Sequence, residues 1–228
     1  MSTFVDPEFG SIYIRRSSSS SSVKLRLDQN GKISISLPKY APAFFAKKLL
    51  NESRQNLRKM LSDIATKRHT YKHGDLIGKS HTLVFEEGET YKHRIYQTNA
   101  IVTKPPQANR DLVNKQVYLV AKKALKIQAN AYLPRRIAQF AESYGFTYQK
   151  LRFSSAGTRW GSCSSQQTIS LNIWLMTLPL ELIDYVIIHE LCHTKYMNHS
   201  QEFWQLVGTY CSDYKLKRKA LKLHQPSI

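Results

Sequence analysis

The sequence predicts an α+β protein in which a β-rich N-terminal region with one helix precedes a second region of mixed strands and helices. Three observations lead to this prediction. Short segments of alternating hydrophobicity fill much of the first half, longer helical periodicities dominate the second half, and the segment KPP at 104–106 separates the two. We therefore divide the chain into a β-rich region, residues 1–105, and a second domain, residues 106–228.

The first half contains two groups of strands with one helix between them. Alternating segments on either side of an Asn-Gly turn predict a hairpin over 23–37, and the six serines before it, at 17–22, predict a flexible loop. Apolar side chains at helical spacing predict an amphipathic helix from residue 42 to about 65. Further strands are expected over 75–89 and 93–103. No internal repeat is evident.

The second half opens with a long helical pattern. This pattern runs from Asn109 to about Tyr132. Pro134 is expected to begin a separate helix, which Gly145 ends as a C-cap.

Strands and two more helices are predicted after Gly145. Residues 147–153 and 168–176 are expected to be strands, joined by a loop. Pro179 is expected to open the next helix, and a last amphipathic helix begins near Asn198.

Charge is the strongest departure from ordinary composition. The chain has 34 Lys and Arg against 16 Asp and Glu, a formal net charge of +18. Such a surface attracts polyanions, which include nucleic acid, nucleotides and acidic proteins. The same charge also serves solubility, so charge alone leaves both interpretations open.

Composition limits the class of protein further. Hydrophobic residues make up 42% of the chain, which excludes wholesale disorder. The apolar runs are far shorter than the roughly 20 residues that cross a bilayer, and the N-terminus lacks the pattern of a secretory signal. Three cysteines are too few for a disulfide framework. We therefore expect a cytoplasmic protein without membrane contact.

The stretch VIIHELCHTKYMNHSQEFW, residues 186–204, places histidines and a glutamate directly after an apolar run. His189 and His193 are four residues apart, which puts both imidazoles on one helix face at the spacing of two ligands of a tetrahedral zinc ion. His199 follows a short turn and is a third candidate ligand. Without a metal these groups would be costly in a core, so the stretch predicts one zinc ion per chain.

Glu190 is the candidate catalytic group of this stretch. It lies about 100° round the helix from His189, where it is better placed to meet a water than the ion itself. Zinc lowers the pKa of a bound water toward 7, and a nearby carboxylate can take the proton and deliver it to a leaving group. The motif therefore predicts a metallohydrolase with Glu190 as general base. Cys192 is interpreted as a buried apolar filler rather than a ligand.

The longer pattern RWGSC…ISLN…IDYVIIHELCH…NHS..FW resembles the signature of the YgjP-like metallopeptidase family, whose relatives include SprT-like and WLM-domain zincins. The resemblance is strong over 145–214 and weaker over the β-rich half. It implies a zincin-like fold in which the active-site HExxH helix lies beside a mixed sheet. It also implies that His189, His193 and His199 are the protein ligands. Tyr196 stands where metzincins have glycine, and no Met-turn follows His199, so a metzincin is rejected.

The resemblance also implies a substrate groove. Its rim would be the strand over 168–176, to which a peptide could add as a further strand. Trp160 and Trp174 are candidate walls of this groove, with core packing as the alternative. Asn172 is a candidate for orienting a ligand or the substrate, with a plain strand contact as the alternative. The candidates for stabilising an oxyanion are Arg159, Tyr196 and Tyr210.

Three functional hypotheses follow. The leading one is a cytosolic zinc-dependent peptidase that acts on polypeptides. The second is a metal-dependent nucleoside triphosphate pyrophosphatase or phosphohydrolase, in which cationic side chains would neutralise the phosphates of a nucleotide. The third is a nucleic-acid-associated protease of SprT-like type, recruited by nonspecific contact with the basic surface, although no recognisable nucleic-acid module is present.

Overall fold

A computed structural model describes residues 2–18, 20–27, 31–67 and 71–226, with side chains described at all of these except 63–67. The chain divides into two compact units, Met1–Thr70 and Tyr71–Ile228, and each has its own hydrophobic core. The predicted α+β class is confirmed. The segment at 104–106 lies within the second unit, because the strands before it and the helix after it share one core. A domain division at 105 stays a prediction.

The first unit is a four-stranded sheet with two helices. Its strands, in the order β1-β2-β4-β3, are β1 (Ser2–Asp6), β2 (Gly10–Ser17), β3 (Lys24–Leu27) and β4 (Ile33–Pro38). The central pair, β2 and β4, is parallel, and both outer pairs are antiparallel. The pairing of β3 with β4 confirms the hairpin predicted over 23–37, while residues 28–30 of its turn lie outside the described residues, as does Ser19 of the serine segment.

The single helix predicted from residue 42 to about 65 is two helices. They are α1 (Phe44–Glu52) and α2 (Arg54–Lys67). Ser53 separates them, and its N–H donates to the carbonyls of Leu49 and Leu50. The apolar spacing continues through this interruption, since Leu50 and Leu57 are both buried in the same core. Hydrophobic periodicity alone therefore could not reveal it.

The second unit begins with another four-stranded sheet. Its strands, in the order β5-β6-β8-β7, are β5 (Leu76–Ile77), β6 (His81–Glu87), β7 (Lys92–Tyr96) and β8 (Asn99–Lys104). Its inner pair is parallel and its outer pairs are antiparallel, as in the first unit. The two sheets are therefore a structural repeat that the sequence does not display. The strand expected over 93–103 is a hairpin, which turns at Gln97 with a φ of 52°.

One helix of 35 residues, α3 (Arg110–Tyr144), follows this sheet. The Asn109 side chain caps its start, and Gly145, with a φ of 66°, ends it as predicted. The predicted break at Pro134 is wrong, because α3 continues through this residue. A proline inside a helix costs about 3 kcal/mol. A continuous buried face offsets this cost, and its members on either side of the proline include Leu125, Ala129, Leu133, Ile137 and Ala141.

Gln128 of α3 satisfies the polar groups of the turn between β5 and β6. Its Nε2 donates to the Ile77 carbonyl at 2.9 Å and lies 3.0 Å from Nδ1 of His81, while its Oε1 accepts from the Lys79 N–H at 2.6 Å. Since the amide nitrogen is a donor, Nδ1 of His81 is the acceptor and this imidazole is neutral. Burial accordingly lowers the pKa of His81.

The remaining elements of the second unit surround the candidate site. They are β9 (Lys150–Ser154), β10 (Gly161–Cys163), β11 (Thr168–Asn172), a 3₁₀ helix (Ile173–Thr177), α4 (Leu180–Cys192), α5 (Gln201–Tyr210) and α6 (Tyr214–Leu221). The three strands form a mixed sheet in the order β10-β11-β9. Pro179 opens α4 as predicted, whereas α5 begins at Gln201, where the Ser200 side chain caps it. No helix among the described residues is long and apolar enough to cross a membrane.

Candidate metal centre

The last turn of α4 carries the first two residues of the motif. The preceding turns are buried in the core through side chains such as Ile183 and Ile187, which fix the direction of the helix. His189 and Glu190 follow within α4. His193 is the C-cap residue, and its N–H donates a hydrogen bond to the His189 carbonyl at 3.3 Å. The apolar run therefore positions the polar end of the helix.

His199 joins the two helical histidines after a turn of the chain. The N–H of Tyr196 donates to the Cys192 carbonyl at 3.1 Å and tightens this turn. The ligand atoms of His189, His193 and His199 then lie within 4.8 Å of one another. The Nε2 atoms of His189 and His199 face each other at 3.1 Å. The three histidines that the sequence singled out are thus brought together.

Hydrogen bonding and ring packing orient these imidazoles. Nδ1–H of His193 donates a hydrogen bond to the Tyr196 carbonyl at 2.9 Å, so the lone pair of Nε2 stays free. The His193 ring stacks on Phe203, with centroids 4.4 Å apart. The His199 ring stacks on Trp204 at 5.4 Å. Side chains of α5 therefore hold two of the three rings.

The donor set fits a zinc ion. Zinc–nitrogen bonds of about 2.0–2.1 Å in a tetrahedral site separate two ligand nitrogens by about 3.3 Å, close to the 3.1 Å between His189 and His199. Burial, together with the neighbouring His193 and His199, lowers the pKa of His189 to about 3, so its imidazole is neutral at pH 7. Neutral imidazole is the form that binds a metal. Three converging imidazoles suit zinc better than magnesium or calcium, which prefer oxygen ligands.

Glu190 is buried beside the imidazole cluster. Its side chain is 5% exposed, and Oε2 has no hydrogen-bond partner among the described residues. Burial raises the pKa of its carboxyl group to about 8, although the positive charge of Arg159 acts in the opposite direction. Burying a carboxyl group that makes no hydrogen bonds costs folding free energy. This cost favours a functional role for Glu190 over a purely structural one.

Gly161 of β10 leaves the space that Glu190 occupies. A Cβ atom at this position would lie 2.6 Å from Oε1 and 2.7 Å from Cγ of Glu190. Gly161 is not among the described residues with a positive φ, so its backbone conformation is open to any residue. The need for glycine at this position therefore comes from the close approach to Glu190.

The strand expected as the groove rim is not an edge strand. β11 pairs with β10 on one side and with β9 on the other, so no further strand can add to it. The edge strand that contacts α4 is β10, which the sequence placed in a loop. A strand of three residues is too short for an alternating pattern to reveal it.

The predicted substrate-binding residues have different environments. Trp174 is 1% exposed and does not line a groove, because it packs in the core. Asn172 is fully buried, and its Nδ2 donates to the carbonyls of Ala156 and Arg159. These hydrogen bonds stabilise the segment before β10. Trp160 is only partly buried at the edge of the core and remains a candidate.

The oxyanion candidates also differ. The Tyr210 hydroxyl donates to the Tyr144 carbonyl at 3.3 Å, and the two rings stack, which gives Tyr210 a structural role. Tyr196 is exposed and uses its carbonyl to orient His193. Arg159 is exposed and close enough to affect the pKa of Glu190. Cys192 is fully buried in the core and is not part of the histidine cluster.

Fold and site together define a protein of the metal-dependent hydrolase class. A family model of the YgjP-like metallopeptidase domain matches residues 21–224, and the chain belongs to this family. The predicted resemblance is confirmed, and the protein is a metallopeptidase, a hydrolase whose family acts on polypeptides.

Two further comparisons add little to this assignment. No curated protein matches the chain. Among solved structures, the chain is similar to the metallopeptidase zymogen of Pyrococcus abyssi abylysin, with 22% identity over 39% of this chain and 91% of that chain. The TM-score of 0.35 is too low for this likeness to support any statement about fold or function.

Proposed function

We propose that this metallopeptidase uses one zinc ion, held by His189, His193 and His199, and that Glu190 is its general base. One observation carries the proposal: a buried carboxyl group with no hydrogen-bond partner in the described part of the chain lies beside three converging imidazoles. When bound at this cluster, zinc supplies a Lewis acid that polarises a carbonyl and acidifies a water.

The residues of the chain divide the remaining work. The pKa of Glu190 would fall from the raised value that burial gives it when a zinc ion is bound at the cluster, because a nearby positive charge favours the ionised carboxylate. The carboxylate accepts a proton from the attacking water and returns it to the leaving nitrogen, the task of a positioned acid–base group. Gly161 keeps the position of this carboxyl group clear of a side chain. The Tyr196 carbonyl and the rings of Phe203 and Trp204 hold the imidazoles in place. These contacts support a preorganised site rather than one assembled on binding.

The edge strand β10 is the proposed place for the substrate backbone. One side of Gly161–Cys163 pairs with β11, and no strand among the described residues pairs with the other side. An extended peptide could add there through main-chain hydrogen bonds, which depend little on the sequence of the peptide. Because Gly161 packs on Glu190, such a peptide would pass close to the general base.

Nucleotide hydrolysis is the second candidate, and the +18 charge is the observation that favours it. The same charge favours recruitment to nucleic acid, which is compatible with peptidase activity. A cytosolic location also stays a prediction, consistent with three cysteines that are free in the structure.

The test is a comparison of substrate classes. Zinc-loaded protein is incubated with unfolded polypeptide and, separately, with each of the four ribonucleoside triphosphates, with Glu190→Gln protein as the matched control. We expect cleavage of polypeptide alone, and loss of this cleavage in the variant. Glu190-dependent release of phosphate or pyrophosphate, without cleavage of polypeptide, would replace the proposal with the nucleotide hypothesis.

A further inference from the structure

A groove of about 680 Å³ lies between α5 and α6, beside the histidine cluster. Its lining includes Gln201, Trp204, Gln205, Tyr214, Lys215 and Arg218. We call it the α5–α6 groove. None of its lining residues is among the three candidate ligands or is Glu190, and only Trp204, which stacks on His199, has a part in the proposed site, so the rest of the groove has no role there.

A stack of rings connects the α5–α6 groove to the metal ligands. The His199 ring stacks on Trp204 with centroids 5.4 Å apart, and Trp204 stacks on Tyr214 at 5.3 Å and an interplanar angle of 14°. The guanidinium of Arg218 lies 4.7 Å from the centroid of the same Trp204 ring. The cation and the ligand His199 therefore contact one side chain, which places Arg218 within reach of a substrate bound at the cluster.

The groove carries positive charge without compensation. Its lining contains the cations Lys215 and Arg218 and no carboxylate. Within the described part of the chain, no ion pair joins Arg218 to an acidic residue, whereas its neighbour Lys217 pairs with Asp213 at 3.0 Å. A guanidinium held over an aromatic ring keeps its N–H groups available, and these match the geometry of a carboxylate.

We propose that the α5–α6 groove is a substrate subsite for a carboxylate, with Arg218 as its specificity-determining residue. This subsite rests on the proposed peptidase function, and it would bind a carboxylate that the substrate carries near the cleaved bond. Two sources supply this carboxylate: the side chain of an internal Asp or Glu, or the free C-terminus of a peptide. The aromatic floor of Trp204 and Tyr214 would contact the methylene groups or the backbone next to the carboxylate.

The experiment measures binding rather than turnover. Zinc-loaded, full-length Glu190→Gln protein is titrated with unstructured, amidated peptides in which one Glu moves along the sequence, and with matched peptides that carry Gln at the same position. A further peptide contains no acidic residue but has a free C-terminal carboxylate. These arms separate the two sources. Each dissociation constant is measured at low and high salt.

We expect the carboxylate peptide of the correct register to bind about threefold to tenfold more tightly than its uncharged match, the range for an exposed pair that keeps part of a charge-assisted bond. Adding Arg218→Gln should abolish this preference, and Arg218→Lys should retain part of it. Lys219→Gln is the matched control, because Lys219 is also an exposed cation of α6 but does not line the groove. High salt should weaken the preference.

Several outcomes would overturn the subsite. Equal binding of charged and uncharged peptides in every register would do so, as would a preference that persists in the Arg218→Gln protein. Displacement of the peptide by an equal concentration of ATP would assign the cations to phosphate instead. If wild-type protein cleaves peptides but shows no carboxylate preference, only the subsite fails. If no peptide binds and none is cleaved, both the subsite and the peptidase function fail.

Discussion

Gly161→Ala tests whether the edge strand β10 positions the general base. The added Cβ would lie 2.6 Å from Oε1 of Glu190, about 0.9 Å short of an ordinary van der Waals contact of about 3.5 Å. The strand or the carboxyl group must therefore move by nearly an ångström. A misplacement of about 1 Å at a reacting group can cost about 10²-fold in rate, so we expect kcat to fall by about this factor.

Other properties of the Gly161→Ala protein should change much less. Zinc content should stay at the wild-type value, because the three atoms nearest to the added Cβ all belong to Glu190 and none to the imidazoles of the cluster. Overpacking should reduce the free energy of unfolding by about 1–3 kcal/mol. The assay measures kcat and KM on an unfolded polypeptide, zinc per chain and melting temperature. Ser162→Ala is the control, since its side chain points to the opposite face of the strand.

A double-mutant cycle separates positioning of Glu190 from a general effect on the fold. If Gly161 acts through Glu190, the Gly161→Ala change should have little further effect on the residual rate of Glu190→Gln protein. Full activity of Gly161→Ala protein would refute the reasoning. Rate losses that multiply in the double variant, or loss of zinc in the single one, would also contradict it.

The remaining predictions concern the metal and the stability of the second unit. Elemental analysis should find about one zinc per wild-type chain and most of it gone in His193→Ala and in His199→Ala, while full retention in both would remove the ligand assignment. Gln128→Leu should lower the free energy of unfolding by about 1–3 kcal/mol in a urea titration, because it leaves buried polar groups of the β5–β6 turn unpaired. Burial lowers the pKa of folded His81 below its ordinary value of 6.5, so the unfolded chain binds this proton first as the pH falls. The stabilising effect of a neutral His81 is therefore present above pH 6.5 and is lost as the pH falls below it. The difference in unfolding free energy between wild type and His81→Gln should shrink from about pH 7.5 to about pH 5. A constant difference would contradict this.

The candidate site could be predicted from local sequence because its chemistry is local. His189, Glu190 and His193 are fixed by the geometry of one helix, and His199 follows after a single turn. The helix end at Gly145 and the helix start at Pro179 were predicted correctly, because a left-handed C-cap and the start of a helix each favour one residue type.

The errors arose where distant contacts decide the structure. Pro134 lies inside α3 because a buried face on either side of it outweighs one lost hydrogen bond, and periodicity does not report burial. The edge strand β10 is defined by pairing with β11 and by the approach of Gly161 to Glu190, both of which join separate parts of the chain. The two four-stranded sheets share their strand order but not their side chains, so the repeat is not visible in the sequence. The α5–α6 groove depends on rings from two helices, so neither helix alone predicts it.

The rate of polypeptide cleavage by zinc-loaded Glu190→Gln protein tests the central claim most directly. The substitution keeps the size of the side chain and removes its ability to accept a proton, while the three imidazoles remain to hold the ion. We expect zinc content and melting temperature close to those of the wild type, and a rate lower by about 10²-fold or more. An undiminished rate in fully zinc-loaded variant protein would contradict the role of Glu190 as general base.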